Sequence, residues 1–308
     1  MRETFRQFYE MYLGPLPHAN ERGEVQVRSC FRNDQNPSMF INLHDGRYND
    51  FGGDHGGDAY NFYMEMHGVN FSTAKRAVDK IVGNPSRDSD DKSFAVALPI
   101  PDEQVEEAHK NLLRNPTLLR YLVEERGISL DVIKRRKIGH DGERYTIPIY
   151  NKFDVCVNIR RYLPNAQSGN KMINYARGYG QARLYPLDAL EKSTVIIHEG
   201  EWDTLLQESH GFSAITNTAG ARTWLSQWND LFKGKIVYVC YDKDETGVAG
   251  AAKVAANLYG IASRVLIATL PLKGTPDDKD ISDYYLNHKH TSESFMEVLS
   301  SAVEYSPT

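Results

Sequence analysis

Cysteine is scarce in this chain: three residues in 308, Cys30, Cys156 and Cys240, with no two close in sequence. That scarcity argues against a disulfide framework and against a Cys-rich zinc site. Long apolar runs are missing too. No window approaches the roughly 18–20 residues needed to span a bilayer, and Met1 to Leu16 mixes charges with aromatics where a signal peptide would be unbroken and apolar. The expectation is a soluble, cytoplasmic protein with no membrane partner. There is no internal repeat, no low-complexity tract and no GxxxxGK[ST] loop, so an ATP-driven helicase activity is not expected of these residues. The ten histidines form no metal-ligand pair at helical spacing, and His288 and His290, near the end of a polar helix, read as solvated.

A surplus of positive charge is also lacking, since the net charge is -5. The chain therefore does not read as a protein that coats nucleic acid over its whole surface. Its charge is nevertheless unevenly placed. Between Lys134 and Arg183 there are eleven basic residues and three acidic ones, and the segment that follows is acidic. A basic middle beside an acidic end suits an enzyme that holds a polyanion against bound cations.

With 308 residues and 41% hydrophobic content, two or three modest domains are possible. The pattern predicts a first module over 1–84. It has a helix over Glu3–Tyr12, strands around Val25–Arg28, Met39–Leu43 and Arg47–Phe51, and helices over Ala59–Met66 and Ser72–Val82, the last capped by Ser72. Residues 85–100 read as a linker because PSRDSDDK, Pro85 to Lys92, is rich in Ser and Asp. A second segment, 101–192, has helices around Glu103–Arg114 and Leu118–Arg126, then strands Arg144–Tyr150, Val155–Tyr162 and Met172–Tyr175. The third, 193–308, alternates: strand Thr194–His198, helix Trp202–Ser209, strand Ala214–Thr216, helix Thr223–Phe232, strand Ile236–Cys240, helix Val248–Tyr259, strand Arg264–Thr269, helix Ile281–Asn287. Such alternation predicts an α/β fold with an open, mostly parallel sheet, whose chemistry gathers at the carboxyl ends of the strands.

The acidic residues fall where that rule puts a site. Glu199-Gly200-Glu201-Trp202-Asp203 follows the first strand of the third segment, Asp242-Lys243-Asp244 follows the third, and Asp277-Asp278-Lys279-Asp280 with Asp283 follows the fourth. Carboxylates converging from three neighbouring strands repel one another, so a cation is their natural partner. Oxygen ligands without Cys or His favour Mg²⁺ or Mn²⁺, ions that bind phosphates and activate an attacking hydroxyl. Gly200 and Gly247 leave room for close backbone approach.

EGEWD at 199–203, TNTAG at 216–220, YDKDETG at 241–247 and KDISD at 279–283 resemble the TOPRIM domain of DnaG-type and phage primases, topoisomerases and some nucleases. The resemblance implies a Rossmann-like parallel sheet, with Glu199 as the motif glutamate often treated as general base. Asp242 and Asp244 would be the principal metal ligands, supported by Asp203, Asp280 and Asp283, although Asp277 and Asp278 compete for the last role. The stretch from Glu125 to Pro164 resembles the N-terminal part of the primase catalytic core. By that resemblance Arg160 or Arg161, Lys171 and Arg183 would face the template or the phosphates of an incoming nucleotide, as guanidinium and ammonium groups neutralise phosphates. Tyr145, Tyr162, Tyr175 and Tyr179 lie among them, as stacking partners for bases or as core.

RSCFRNDQNPSMFINLHDGRYNDFGGDHGGDAYNF, starting at Arg28, resembles the zinc-ribbon domain that opens DnaG-like primases. Aligned on its own turns, however, the ligand positions hold Ser29, Arg32, Asp50 and Gly53, with Cys30 one place off. No zinc is therefore expected, and Cys30 reads as a buried or idle thiol. A structural zinc contributes about 10–16 kcal/mol in small fingers, so this module would rely on its core, with Phe31, Phe40, Tyr48, Phe51, Tyr60 and Phe62 as candidate members. Taken together, the resemblance implies a zinc-less primase of a phage or mobile element. It would join nucleoside triphosphates on a single-stranded DNA template with Mg²⁺ or Mn²⁺, beside a replicative helicase supplied in trans. A TOPRIM nuclease and a catalytically inactive DNA-binding replication factor are the alternatives; a topoisomerase is poorly supported.

Overall fold

The computed structural model describes residues 3–32, 34–83, 95–166 and 171–307. Most of the expected linker lies outside the described residues. In chain order the elements are α1 (Arg6–Leu13), β1 (Glu24–Val27), β2 (Met39–Asn42), β3 (Tyr48–Asp50), β4 (Gly56–Gly57), α2 (Ala59–His67) and α3 (Phe71–Val82). Then come α4 (Asp102–Leu113), α5 (Pro116–Arg120), which runs into a π-helical turn at Tyr121–Glu125, α6 (Leu130–Arg135), β5 (Gly139–His140), β6 (Tyr145–Tyr150), β7 (Cys156–Tyr162) and β8 (Met172–Asn174). The remainder is β9 (Leu184–Tyr185), β10 (Thr194–Ile197), α7 (Glu201–Ser209), β11 (Ala214–Asn217), β12 (Ile236–Val239), α8 (Glu245–Leu258), β13 (Arg264–Ile267), α9 (Ser292–Ser300) and β14 (Val303–Glu304). The chain divides into two compact units. One comprises Met1–Asp102, Pro148–Arg161 and Ala166–Gln181; the other Glu103–Ile147, Tyr162–Asn165 and Ala182–Thr308.

In the first unit β1-β2-β3-β4 form an antiparallel sheet, with Val25 opposite Ile41 and Ile41 opposite Tyr48. Successive strand residues point to opposite faces, so Val25, Met39, Ile41 and Tyr48 turn inward. There they meet Phe8 and Tyr9 of α1, Phe62 and Met66 of α2, and Ala74, Ala77 and Val78 of α3. The same alternation corrects the expected core. Phe40, between Met39 and Ile41, faces outward at 39% exposure, and Phe51, just past β3, is 73% exposed. Phe31, Tyr48 and Phe62 are core, and Tyr60 packs at its edge. Helix α2 starts at Asp58, whose carboxylate accepts from the Tyr60 and Asn61 N–H groups. Helix α3 is capped by Asn70, whose Oδ1 accepts from Thr73 N at 3.0 Å, two residues before the expected Ser72. An Asn cap serves as well as Ser, and it gains the helix a further half-turn.

The second unit is built on a six-stranded sheet in the order β14-β13-β12-β10-β11-β9. Its four central strands are parallel, and the two edge strands, β9 and β14, run antiparallel. The expected parallel sheet is present, with antiparallel edges added. Val195, Ile197, Ile215, Val237 and Val239 form the sheet side of a core closed by Trp224, Trp228 and Phe232 and by Val254 and Leu258 of α8. The helix expected over Thr223–Phe232 is a 3₁₀ stretch, Ser226–Phe232, which with Trp224 just before it brings the rings of Trp228 and Phe232 onto the sheet. Helix α9 and strands β4, β9 and β14 had no counterpart in the sequence reading. Among the described residues no helix is long and apolar enough to cross a membrane.

Candidate active site

Parallel pairing of β10 with β12, Ile197 opposite Val239, sets their carboxyl ends side by side. Glu199 leaves the first end and Asp242 the second. The turn after β10 is Gly200, where a Cβ would stand 3.0 Å from the Asp203 carboxylate. The first turn of α8 is tighter still: at Gly247 a Cβ would lie 2.2 Å from the Asp242 carbonyl oxygen, so only glycine fits. Asp244 caps α8, its Oδ1 accepting from Gly247 N at 2.8 Å. The loop after β13 returns over the same edge, where Lys243 N donates to the Lys279 carbonyl at 2.9 Å. Glu199, Asp203, Asp242, Asp244 and Asp280 are thereby brought to one end of the sheet.

Their crowding shows in their acidities. Burial, and then the charges of Asp242 and Asp244, push the Glu199 carboxyl up to about 7. Its Oε2 is buried with no hydrogen-bond partner. Asp203 is pushed well up by burial and then by Asp242 and Asp280. Burial also raises Asp242 and Asp280. Asp244 goes the other way, held below the usual carboxylate range by hydrogen bonds from Lys279 and then from the Gly247 N–H.

Lys279 is the residue that the sequence reading passed over. Its ammonium spans the Asp-x-Asp pair, 3.0 Å from Asp242 Oδ2 and 2.5 Å from Asp244 Oδ2. Burial acts to lower its pKa, but bonds to the two aspartates raise it above the usual lysine range. A second cation, Arg126, lies at the end of the π-helical turn, with its guanidinium 5.4 Å from the Trp202 ring and 5.8 Å from that of Tyr162. It favours the ionised forms of Asp203 and Asp280. The signal for Lys279 was present inside KDISD. Arg126 had none, because an inserted π turn changes which way a residue points.

Asp283 is engaged by its own turn. Its Oδ2 accepts from the Lys279 and Asp280 N–H groups at 2.8 and 3.2 Å, and its Oδ1 from Asn287 Nδ2 at 2.7 Å. Asp283 therefore holds the turn that positions Asp280. Asp278, one of two rivals for the last acidic position, is likewise engaged: its Oδ1 is 2.7 Å from His288 Nε2 and its Oδ2 accepts from Lys273 N. His288 is thus paired rather than simply solvated, and His290 stacks on Tyr284 at 4.1 Å. Asp277 is exposed.

Among the described residues no three His, Cys, Asp or Glu side chains are drawn together tightly enough to hold an ion. The donor set nonetheless fits a hard divalent cation. It consists of carboxylate oxygens, mutually repelling and partly buried, with one Glu199 oxygen orphaned. Zinc in the first unit is another matter. Arg32 and Asp50, at two of the four ligand positions, are bonded to each other, Nη2 to Oδ1 at 3.0 Å, and a guanidinium has no lone pair to offer a metal. Burial pushes the Cys30 thiol up to about 12, far from the thiolate a metal requires. These residues do not fit zinc.

Of the expected nucleic-acid residues, Arg160, Arg161 and Lys171 belong to the first unit and Arg183 to the second. Arg160 Nη1 donates to Asn174 Oδ1 at 2.8 Å. The Arg183 backbone N–H donates to Thr218 Oγ1 at 3.1 Å, next to β9. Tyr145, Tyr162 and Tyr179 are buried and belong to packing; Tyr175 stands edge-on to Tyr179.

Residues 19–93 match the CHC2 zinc finger family. A DNA primase of Chlamydia muridarum is 24% identical over 86% of this chain and 53% of its own length. A DNA primase of Lactococcus lactis is 32% identical over 43% of this chain and 22% of its own length. The chain thus spans about half the length, or less, of these relatives. Among solved structures, the zinc-binding and RNA polymerase domains of the Aquifex aeolicus primase superpose with a TM-score of 0.53 at 19% identity, covering 97% of this chain and 83% of that one. A DnaG primase catalytic domain bound to single-stranded DNA gives 0.51 at 18% identity, over 66% of this chain and 80% of that one. Both units are therefore of known kind: in sequence and in fold, the chain is similar to the DnaG-type DNA primases.

Proposed function

We propose that this protein is a primer-synthesising nucleotidyltransferase, joining nucleoside triphosphates on a single-stranded DNA template. The observation that carries the proposal is the juxtaposition of Glu199, Asp242 and Asp244 at the adjoining ends of β10 and β12. Its support is the similarity to DNA primases along most of the chain. The organisation that goes with it has a ribbon-like module over 1–84, a linker over 85–100, a core subdomain over 101–192 and a TOPRIM domain over 193–308.

In this reading Asp242 and Asp244 would hold Mg²⁺ or Mn²⁺, with Glu199, Asp203 and Asp280 around them and Asp283 bracing the Asp280 turn. A bound divalent cation would neutralise phosphate charge and make a primer 3′-hydroxyl more acidic. Glu199 is suited to take that proton at its Oε2, since burial and the neighbouring aspartates push its pKa up to about 7, where a general base works best. Arg126 is held by two aromatic rings, which fixes its direction toward the acidic cluster. Arg160, Arg161, Lys171 and Arg183 would carry template or triphosphate charge, and a replicative helicase would act in trans.

The test is primer synthesis on mixed-sequence single-stranded DNA with Mg²⁺ or Mn²⁺, supplying ribo- or deoxyribonucleotides separately. Short products that vanish in Asp242→Asn/Asp244→Asn are expected. Nicking of DNA without nucleotides, lost in the same variant, would make the protein a nuclease instead. DNA binding with neither activity would make it a non-catalytic replication factor.

A further inference from the structure

The first unit has the sheet and turns of a zinc ribbon, yet its ligand positions carry residues that cannot bind zinc together. We propose that the Arg32 guanidinium stands in the metal's place, cross-linking through Asp50 the same two loops that a zinc ion would join. One loop follows β1 and carries Ser29, Arg32, Asp34 and Ser38; the other begins at the end of β3 with Asp50 and carries Gly52 and Gly53.

The bonding is centred as a metal site would be. Arg32 reaches Asp50 through two nitrogens, Nε to Oδ2 at 3.2 Å and Nη2 to Oδ1 at 3.0 Å. Its Nη1 donates to Asp34 Oδ1 at 3.1 Å, and Nη2 also bonds the Ser38 hydroxyl. Ser38 donates to Asp34 Oδ2 at 2.7 Å, and that same oxygen accepts from the Ser29 N–H at 2.9 Å. The Gly52 N–H donates to Asp50 Oδ1 at 3.1 Å. A carboxylate from each loop thus faces one planar cation, a bidentate arrangement that is both strong and directional.

Two further observations favour a built site over an incidental surface ion pair. The Asp50 side chain is fully buried, and that of Asp34 is 6% exposed. The glycines of the second loop also form a floor for the guanidinium. A Cβ at Gly52 would lie 2.0 Å from Arg32 Nη2, and one at Gly53 would lie 3.3 Å from Asp50 Oδ2. A side chain at Gly52 would displace the guanidinium. Ring packing completes the enclosure, with Phe31 stacked on His55 at 4.4 Å across the same pair of loops. The consequence is a ribbon whose integrity is independent of zinc, chelators and thiol oxidation.

Three measurements on the full chain test this. Protein purified from zinc-supplemented cells should carry substoichiometric zinc, and a strong chelator should leave its melting temperature unchanged; one retained zinc per chain, or a drop on chelation, overturns the proposal. Arg32→Met and Asp50→Asn should each lower melting by several degrees, and the double variant should fall short of the sum, because the two side chains share one interaction. Additive losses overturn it. Finally, Ser29, Arg32, Asp50 and Gly53 all replaced by Cys, in a Cys30→Ser background, should bind one cobalt with thiolate charge-transfer absorption. No cobalt binding, whether the variant folds or not, would show that the four positions do not surround one point.

Discussion

Glu199 and Lys279 are the two residues on which the acidic cluster turns. Glu199→Gln removes a carboxyl crowded by Asp242 and Asp244 and leaves its volume unchanged. Primer synthesis should fall by roughly 10²–10⁴-fold, as expected for loss of a general base, while the melting temperature should not drop. A destabilised variant would mean that the residue's role is structural. Lys279→Met withdraws the ammonium that bridges Asp242 and Asp244. Without divalent cations its melting temperature should fall below wild type, and Mg²⁺ should raise it by more. Equal shifts in the two proteins would sink this account. Asp50 sets an acid limit. Burial alone would raise its pKa, but bonds from Arg32, Ser29 and the Gly52 N–H hold it at about 2. Because the folded value lies below the unfolded one near 3.8, the stability it confers is complete above pH 4 and drains away as pH falls toward 2. Asp50→Asn should flatten that part of the pH–melting curve.

At the scale of elements, most of the α/β unit could be read from sequence. Four apolar runs of about four residues alternate with helices, and a strand buried on both faces has no polar phase to hide it. The short strands that were missed lack such a signal. Strands β4 and β9 have two residues each, too few for any period. The 3₁₀ stretch at Ser226–Phe232 keeps the spacing of a helix while its backbone follows its rings onto the sheet. The start of α3 was misplaced because Asn70 and Ser72 are both good caps, and only Asn70 has the extended backbone that lets its side chain reach back. Asn70→Ala should therefore destabilise the chain by about 0.5–2 kcal/mol, and Ser72→Ala much less. Equal losses in chemical denaturation would restore the Ser72 cap.

For the whole molecule the charge pattern makes a prediction that needs no contact list. If Arg160, Arg161 and Lys171 neutralise template phosphates, binding of single-stranded DNA should weaken steeply with salt. Each change to Ala should then reduce the slope of log affinity against log salt by about 0.7. Fluorescence anisotropy across a salt series reads this directly, and slopes unchanged in all three variants would remove these residues from the DNA path.

Composition and spacing alone determined a good deal: an α/β protein and the acids at strand ends; the residues standing where zinc ligands would be came from the family resemblance. These follow from local rules, since turn chemistry, burial period and donor type are written residue by residue. Only the tertiary structure decided which acids meet and what else meets them. Strand order put β10 beside β12, a returning loop carried Lys279 into the Asp-x-Asp pair, and Asp283 came to brace the Asp280 turn. It also turned a list of failed zinc ligands into a bonded group around Arg32. The reason is physical: whether two charges attract, repel or bridge depends on distance and burial, and those are set by parts of the chain far apart in sequence.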